Sequence, residues 1–552
     1  MEEWLLSGHN TLESFTLARP LTASAGVATL NRSVSWFMHA LYDGIFTVDD
    51  SLPPSVAVQG WIYLNINYSL KTAFTSFDPE SLGVSQRFLE QHPELLALRP
   101  KPATPGQTLR VLARIRRLYQ QAKAFYQQEL AQYERDLKAL LERMKTDNTL
   151  VPVWELLSPE QAAKPARVGQ AHETVSIILI ILGGLIKEKA PELSELFAGN
   201  HTTTSQLGMR LWELRTLALQ SGPEVVAALK RGETDIAFYR HLPQAAQLVA
   251  GVERFLQDYG HRGFRYELDF ASDRLMDHPE MIWLAIAAQL DSTISPEERA
   301  RAAREEALKA LNAMPVLQRR FWQALLAWGQ ELIAYREDSK SFMSLQQAVY
   351  RRALELCAQH YHPDYPQDVM LFYTMEELDE FIKSRGEKRL SPALLERRLE
   401  EYKLYSIQKA PPELIWYNPG TRLWRPALEE EQKKLELEVI RQFQGIPASV
   451  GNGVVEGMAL VTNDPIEAGR LMLNMSGPIV LVTRLTDPAW SSIFARLSAV
   501  VTELGGVVSH AAIVARENGL PAVVGVADVT RHIRNGQRLR VDGRTGLIEV
   551  LD

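Results

Sequence analysis

"LGGVVSHAAIVARENGLPAVVG" runs from Leu504 to Gly525 of a 552-residue chain. Its last part punctuates a helix: Asn518–Gly519 is a natural stop and Pro521 bars continuation. Its start supplies Ser509 as N-cap and His510 as the first helical residue. The imidazole then sits where unpaired backbone N–H groups and the positive end of the helix dipole converge. Such a place attracts anions, phosphate above all. Gly505 and Gly506 let the backbone approach a ligand closely or adopt positive φ. Arg516, about a turn and a half further on, is positioned to supply a cation. A neutral imidazole nitrogen is a nucleophile near pH 7, and its phosphorylated form is a high-energy donor. The helix N-terminus favours that neutral form. A histidine that merely caps a helix satisfies the same pattern, so at this point both readings stand.

Composition narrows the setting. The length calls for about three domains. Hydrophobic residues at 46% and charged residues at 23% are ordinary for a globular protein. A net charge of −7 argues against a nucleic-acid binder. The single cysteine, Cys357, excludes an internal disulfide framework and a Cys-cluster metal site, and fits a reducing, cytoplasmic location. The start, "MEEWLLSGHN", is acidic where a signal peptide needs a basic region. The most apolar run, "VSIILIILGGLI" (Val175–Ile186), lies between Glu173 and Lys187 and is shorter than a bilayer span. It reads as a buried helix, so no membrane is expected.

Up to about residue 430 the text is mostly helical. Leu112–Met144 carries apolar residues at three- and four-residue spacing and reads as one long amphipathic helix opened by Pro105 and Gly106. Another helix ends near Leu219, before the Ser221–Gly222–Pro223 break, and Ser295–Pro296 forms an N-cap and N1 pair. From Gly445 the pattern changes to short β-branched runs, "GVVEGMALV", "GPIVLVT", "SAVVTEL", "PAVVGVADV" and "QRLRVDGRTGLIEVL", separated by Gly, Pro and Asp. The fold class is therefore multidomain: a large, mostly α-helical N-terminal domain over 1–440 and a small C-terminal α/β domain over 445–552. The boundary falls near Phe443–Ile446. Pro411–Pro412 reads as a connector, and a hinge is expected near Pro447.

"GGVVSHAAIVARENGLPAVVG" resembles the phosphohistidine signature of the swivelling domain in the phosphoenolpyruvate (PEP) synthase and pyruvate phosphate dikinase superfamily. The likeness extends through "GIPASVGNGVVEGMALV", "VLVTRLTDPAWSSIFARLSAVVTELGG" and "GQRLRVDGRTGLIEV", and so covers Gly445 to Leu551. It implies that His510 carries a phosphoryl group, surrounded by Gly505, Gly506, Ser509 and Arg516. Val508 stands where plant-type dikinases have a regulatory threonine, so that control is not expected here.

The helical part offers "FLQDYGHRGFRYELDFASDRLMDHPE" (Phe255–Glu280), similar to the His-Arg-Gly element of the substrate domain in rifampicin phosphotransferases. Further echoes are "VQGWIYLNINY", "NHTTTSQLGMRLWEL" and "HPDYPQDVMLFYTMEELDEFI". By this likeness His261, Arg262, Glu267 and Asp269, with Arg265, bind a small polar substrate. His261 would act as a general base. As residues alone they read equally as a buried ion-pair network and a core histidine. The "HYHPD" cluster (His360–Asp364) reads as a solvated turn rather than a metal site, and no metal ligand set is expected.

No GxxxxGK[ST] loop and no GxGxxG after a strand is present. The resemblance implies charging of His510 from the β-phosphate of ATP, with AMP and inorganic phosphate released. Here a separate ATP-grasp subunit is expected to bind the ATP and Mg²⁺ and to charge His510 in trans. The acceptor is a small molecule. Two alternatives remain at this stage: a ligase that condenses two molecules through a phosphorylated intermediate, and a non-catalytic phosphocarrier or binding subunit.

Overall fold

The computed structural model describes residues 3–8, 19–46, 48, 51–59, 61–72, 84, 86–101, 103–147, 149–156, 159–197, 202–263, 271–407, 412, 414–427, 441–507 and 509–551. The chain forms two compact units. One comprises 1–178, 268–272 and 342–436; the other comprises 179–267, 273–341 and 437–552. The α/β domain read from the sequence thus shares a unit with helices from the middle of the chain.

In the first unit, Thr104 caps the helix Pro105–Gln128 through a capping box with Gln107. The single helix expected over Leu112–Met144 is two: a second one, Leu130–Thr146, follows a break at Glu129 (φ −117°). The Glu129 carboxylate is held by Arg167 at 2.6 Å, at the junction of the two helices. The sequence also hid a five-stranded sheet, in the order Ser55–Val58, Trp61–Asn65, Trp4–Ser7, Leu414–Tyr417, Trp424–Pro426. Its strands come from opposite ends of the chain, with Leu5 opposite Trp416 and Leu6 opposite Asn65. The segment after Pro412, read as a connector, therefore begins a strand, and Leu5, Leu6, Tyr63 and Ile415 are wholly buried in this sheet.

The apolar run lies in the helix Pro159–Lys189. Within it, Ala166–Ile186 is long and apolar enough to cross a membrane by length and composition, with 47% of the window buried in the protein. The run Val175–Ile186, expected to be shorter than a bilayer span, is thus part of a longer apolar window. The half-buried Glu173 sits in this window, and burial pushes its carboxyl up to about 7.

In the second unit, Ser295 caps Pro296–Ala313 as expected, with Pro296 at N1 and Glu298 closing a capping box. The helix Glu280–Gln289 is buried along its whole length. Trp283 stacks on Tyr239 with ring centroids 4.2 Å apart. An eight-stranded sheet runs Gln442–Gln444, Leu547–Val550, Arg538–Asp542, Val454–Val461, Ile479–Thr483, Ala499–Thr502, Ala522–Val524, Ile446–Ser449. The four strands from Val454–Val461 to Ala522–Val524 are parallel. Buried on both faces, the strand Ile479–Thr483 reads as a continuous apolar run. Its alternate residues serve two cores. Val480 and Val482 face Ala459, Val501 and Val541, whereas Ile479 and Leu481 join Trp283, Trp490 and Phe494 in a core shared with the helices. Pro447, the expected hinge, lies in the edge strand of this sheet, paired with Val523.

Candidate phosphohistidine site

The strand Ala499–Thr502 leads into the loop that presents the histidine. Thr502 Oγ1 donates to the Leu504 carbonyl at 2.6 Å, turning the chain out of the sheet. Gly505 then adopts φ +116°, which an L side chain disfavours. Gly506 has open space where a Cβ would stand, and its carbonyl accepts from Ser509 N at 3.0 Å. Ser509 caps the helix His510–Glu517, its Oγ accepting from Ala512 N at 3.4 Å.

His510 is the first residue of that helix and is buried, at 7% exposure. Thr486 Oγ1 lies 3.1 Å from Nδ1 and Ser491 Oγ lies 3.2 Å from Nε2. Phe494 meets the ring edge-on, with centroids 6.3 Å apart. The two hydroxyls belong to one tight segment in which Asp487 Oδ1 caps the turn Pro488–Ser492 by accepting from Ala489 N at 2.8 Å. Burial pushes the imidazole down to about 3. Glu337 opposes that shift, while Lys340, Arg262 and Arg336 reinforce it. His510 is therefore neutral at physiological pH, and burial is the dominant cause.

Three cations and one carboxylate thus act on the imidazole from the helical part of the same unit. Arg336, Glu337 and Lys340 lie on the helix Val316–Tyr361, one turn apart or adjacent. Glu337 is 1% exposed and pairs with Arg336 Nη1 at 2.9 Å. Arg262, also 1% exposed, is fixed through its backbone: its N–H donates to Tyr259 O at 3.0 Å and its carbonyl accepts from Leu275 N at 2.9 Å. His261 is buried beside it, with Nε2 3.2 Å from Ser341 Oγ. Glu267, Asp269 and Arg265 lie outside the described residues, as does Val508.

Arg516 is placed elsewhere. Six residues after His510, it stands about 9 Å along the helix and well round its axis. Its Nη2 donates to Val507 O at 2.6 Å, and it lines a separate cavity of about 300 Å³ with Ser449, Val450 and Phe197. It braces the loop before His510 rather than facing the imidazole.

Thr486, Ser491, Arg336, Glu337 and Lys340 were not singled out in the sequence. A signal existed for the hydroxyls, since "TDPAWSS" falls inside the stretch that resembles the swivelling domain. "YREDSK" offered only a charged patch on a helix, whose inward face needs coordinates. In "HYHPD", His362 is buried rather than solvated, with Nε2 2.7 Å from Tyr373 Oη, and burial lowers its pKa. Among the described residues no group of three or more His, Cys, Asp or Glu side chains is placed to hold a metal ion.

Two family models match parts of the chain. Residues 475–546 match the PEP-utilising enzyme mobile domain, and residues 170–337 match the rifampicin phosphotransferase fourth domain. The chain carries both domains. Four of the eight strands, from Ile479–Thr483 to Arg538–Asp542 in chain order, and the His510 helix lie in the first match, and Arg262, Arg336 and Glu337 lie in the second.

Among individual proteins, the chain is similar to the rifampicin phosphotransferase of Bacillus cereus, 30% identical over 369 residues, which are 64% of this chain and 40% of that protein. The rifampicin phosphotransferase of Streptomyces sviceus is 30% identical over 385 residues, 66% of this chain and 41% of that protein. The phosphoenolpyruvate synthase of Aeropyrum pernix is 39% identical over 149 residues, 26% of this chain and 18% of that protein. The chain spans about two fifths of the length of the rifampicin phosphotransferases it matches.

Proposed function

We propose that this chain is a phosphotransferase subunit that carries a phosphoryl group on His510 and delivers it to a small-molecule acceptor. The observation that carries this reading is a neutral, buried imidazole at a helix N-terminus, acted on by Arg262, Arg336, Lys340 and Glu337. Those cations suit the equatorial oxygens of a phosphoryl group in transfer. Similarity to rifampicin phosphotransferases and the mobile-domain match support the same class.

In the delivery step an acceptor hydroxyl oxygen attacks phosphorus and the P–N bond breaks. The electron pair returns to the ring nitrogen; the proton held on the other ring nitrogen makes the released imidazole neutral, and burial keeps it from taking up a second one. Glu337 is the carboxylate at hand to take the hydroxyl proton. Thr486 and Ser491 orient the ring and select its tautomer.

Charging belongs to a separate ATP-grasp subunit in this proposal. Mg²⁺ would neutralise ATP phosphates there, and no described carboxylate cluster of this chain fits it. The location is cytoplasmic and the working state soluble.

The test is phosphoryl labelling with ATP carrying label at the β-phosphate, with and without lysate of the host, for wild type and His510→Ala. Acid-labile, alkali-stable label that needs both lysate and His510 is the expected result. Label without lysate refutes charging in trans, and no label in either condition refutes the carrier role. Chasing the labelled chain with a metabolite extract separates a phosphorylated product from a condensed one or from no transfer.

A further inference from the structure

A second set of charged groups lies away from the imidazole, where the helical segment meets the α/β domain within the same unit. Glu195, on the short helix Pro191–Leu196, is 5% exposed. Its Oε1 accepts from Val450 N at 2.5 Å and lies 3.4 Å from Gly451 N. Ser449 Oγ is 3.3 Å from the same oxygen, but its one proton goes to the nearer Leu520 carbonyl at 2.7 Å. Glu195 Oε2 is shut off from solvent and has no hydrogen-bond partner among the described residues. The charges of Arg516 and Arg304 act on this carboxylate.

Both sides of this contact are anchored. Gln330 Nε2 donates to the Leu196 carbonyl at 2.9 Å, fixing the Glu195 helix to the long helix that bears Arg336. On the other side Gly451 has φ +49°, and a Cβ there would stand 2.3 Å from the Leu520 carbonyl carbon. The turn that Glu195 grips is therefore locked to Leu520–Pro521, immediately after the His510 helix. A second fastening joins that helix directly: Thr202 Oγ1 donates to Glu517 Oε1 at 2.6 Å and accepts from Ser205 N at 3.0 Å.

A buried carboxylate with one oxygen unbonded is a poor stabiliser, since its desolvation offsets much of its attraction. What it supplies is directional, charge-assisted grip that water can replace on release. We propose that Glu195 is a positioning residue, a catch that holds the phosphohistidine domain against the helical segment that bears Arg262, Arg336 and Lys340. Its part in delivery rests on the function proposed above; the catch itself does not.

The test uses the full chain and needs neither ATP nor acceptor. Diethyl pyrocarbonate acylates neutral imidazole, and its rate at each histidine is read by peptide mass spectrometry. His510 in wild type reacts slowly compared with the more exposed His39 and His92. In Glu195→Ala, His510 reacts on the order of 10-fold faster, as the loss of a charged hydrogen bond implies, while His39 and His92 are unchanged. Glu195→Gln keeps a carbonyl oxygen for Val450 N and gives a smaller rise. An unchanged His510 rate in Glu195→Ala overturns the catch. If Glu195→Ala accelerates every histidine, the protein has lost its fold, and Glu195→Gln decides: acceleration confined to His510 supports the catch, and none refutes it. Acceleration at His510 in a chain that never takes label from ATP keeps the catch and removes its role in delivery.

Discussion

Glu517 and His510 terminate the same eight-residue helix and are displaced in opposite directions by burial. Glu517 is pushed up to about 8, with Glu337 adding to the shift and Thr202 and Arg304 opposing it. His510 is pushed down to about 3. A raised carboxyl contributes stability in full below its unfolded pKa of 4.5 and loses it as pH rises towards 8. A depressed imidazole contributes in full above 6.5 and loses its share as pH falls towards 3. Each group has a limiting slope of about 1.4 kcal/mol per pH unit. Between 4.5 and 6.5 the two slopes cancel, so these groups give a plateau. From pH 6.5 to 8 only Glu517 still acts, and stability falls by about 2 kcal/mol. Urea unfolding of wild type and Glu517→Gln at half-unit pH steps isolates this contribution, because every other group cancels in the difference. The expected difference curve is shallow below 4.5, changes between 4.5 and 8, and flattens above. A difference curve with no slope between pH 6.5 and 8 refutes the assignment of a protonated Glu517 to the buried seam.

Two further outcomes follow from the same geometry. Thr486→Val removes the hydroxyl at Nδ1 while keeping the side chain's volume. It leaves a buried imidazole nitrogen without its partner, so the rate of His510 labelling from ATP drops on the order of 10-fold; an unchanged rate refutes a tautomer-setting role. Lys340→Ala and Arg336→Ala leave the labelling of His510 intact but slow transfer to an acceptor on the order of 100-fold, as loss of transition-state charge stabilisation does. Pulse-chase of the labelled chain separates the two steps, and slowed labelling in these variants would place the residues on the charging side instead.

How much of this was legible beforehand depended on the range of the contacts involved. The Ser509–Glu517 helix, its cap and its glycine-led approach are local, and "GGVVSHAAIVARENGLP" displays them in order. The parallel strands were legible for a related reason: Ile479–Thr483 and Ala499–Thr502 are buried on both faces and therefore read as unbroken apolar runs. The five-stranded sheet was hidden because its strands are short and because Trp4–Ser7 finds Leu414–Tyr417 only after some four hundred residues of intervening chain. Arg336, Glu337 and Lys340 escaped notice for the opposite reason. Charges on a long helix are commonplace, and only the packing of Val316–Tyr361 turns these inward. Arg516 shows the limit of reasoning by sequence proximity, since six residues of helix suffice to carry a cation to the other side of the axis.

The enclosure of His510 also governs timing. With one hydroxyl against each ring nitrogen and 7% of the residue exposed, the imidazole is closely covered in this arrangement. In the proposed function one imidazole serves both donor and acceptor, so its loading and unloading alternate. Initial-rate plots against one substrate at several fixed levels of the other would be parallel lines. In the proposed function the same cover would keep bulk water from the phosphoramidate bond of a loaded domain.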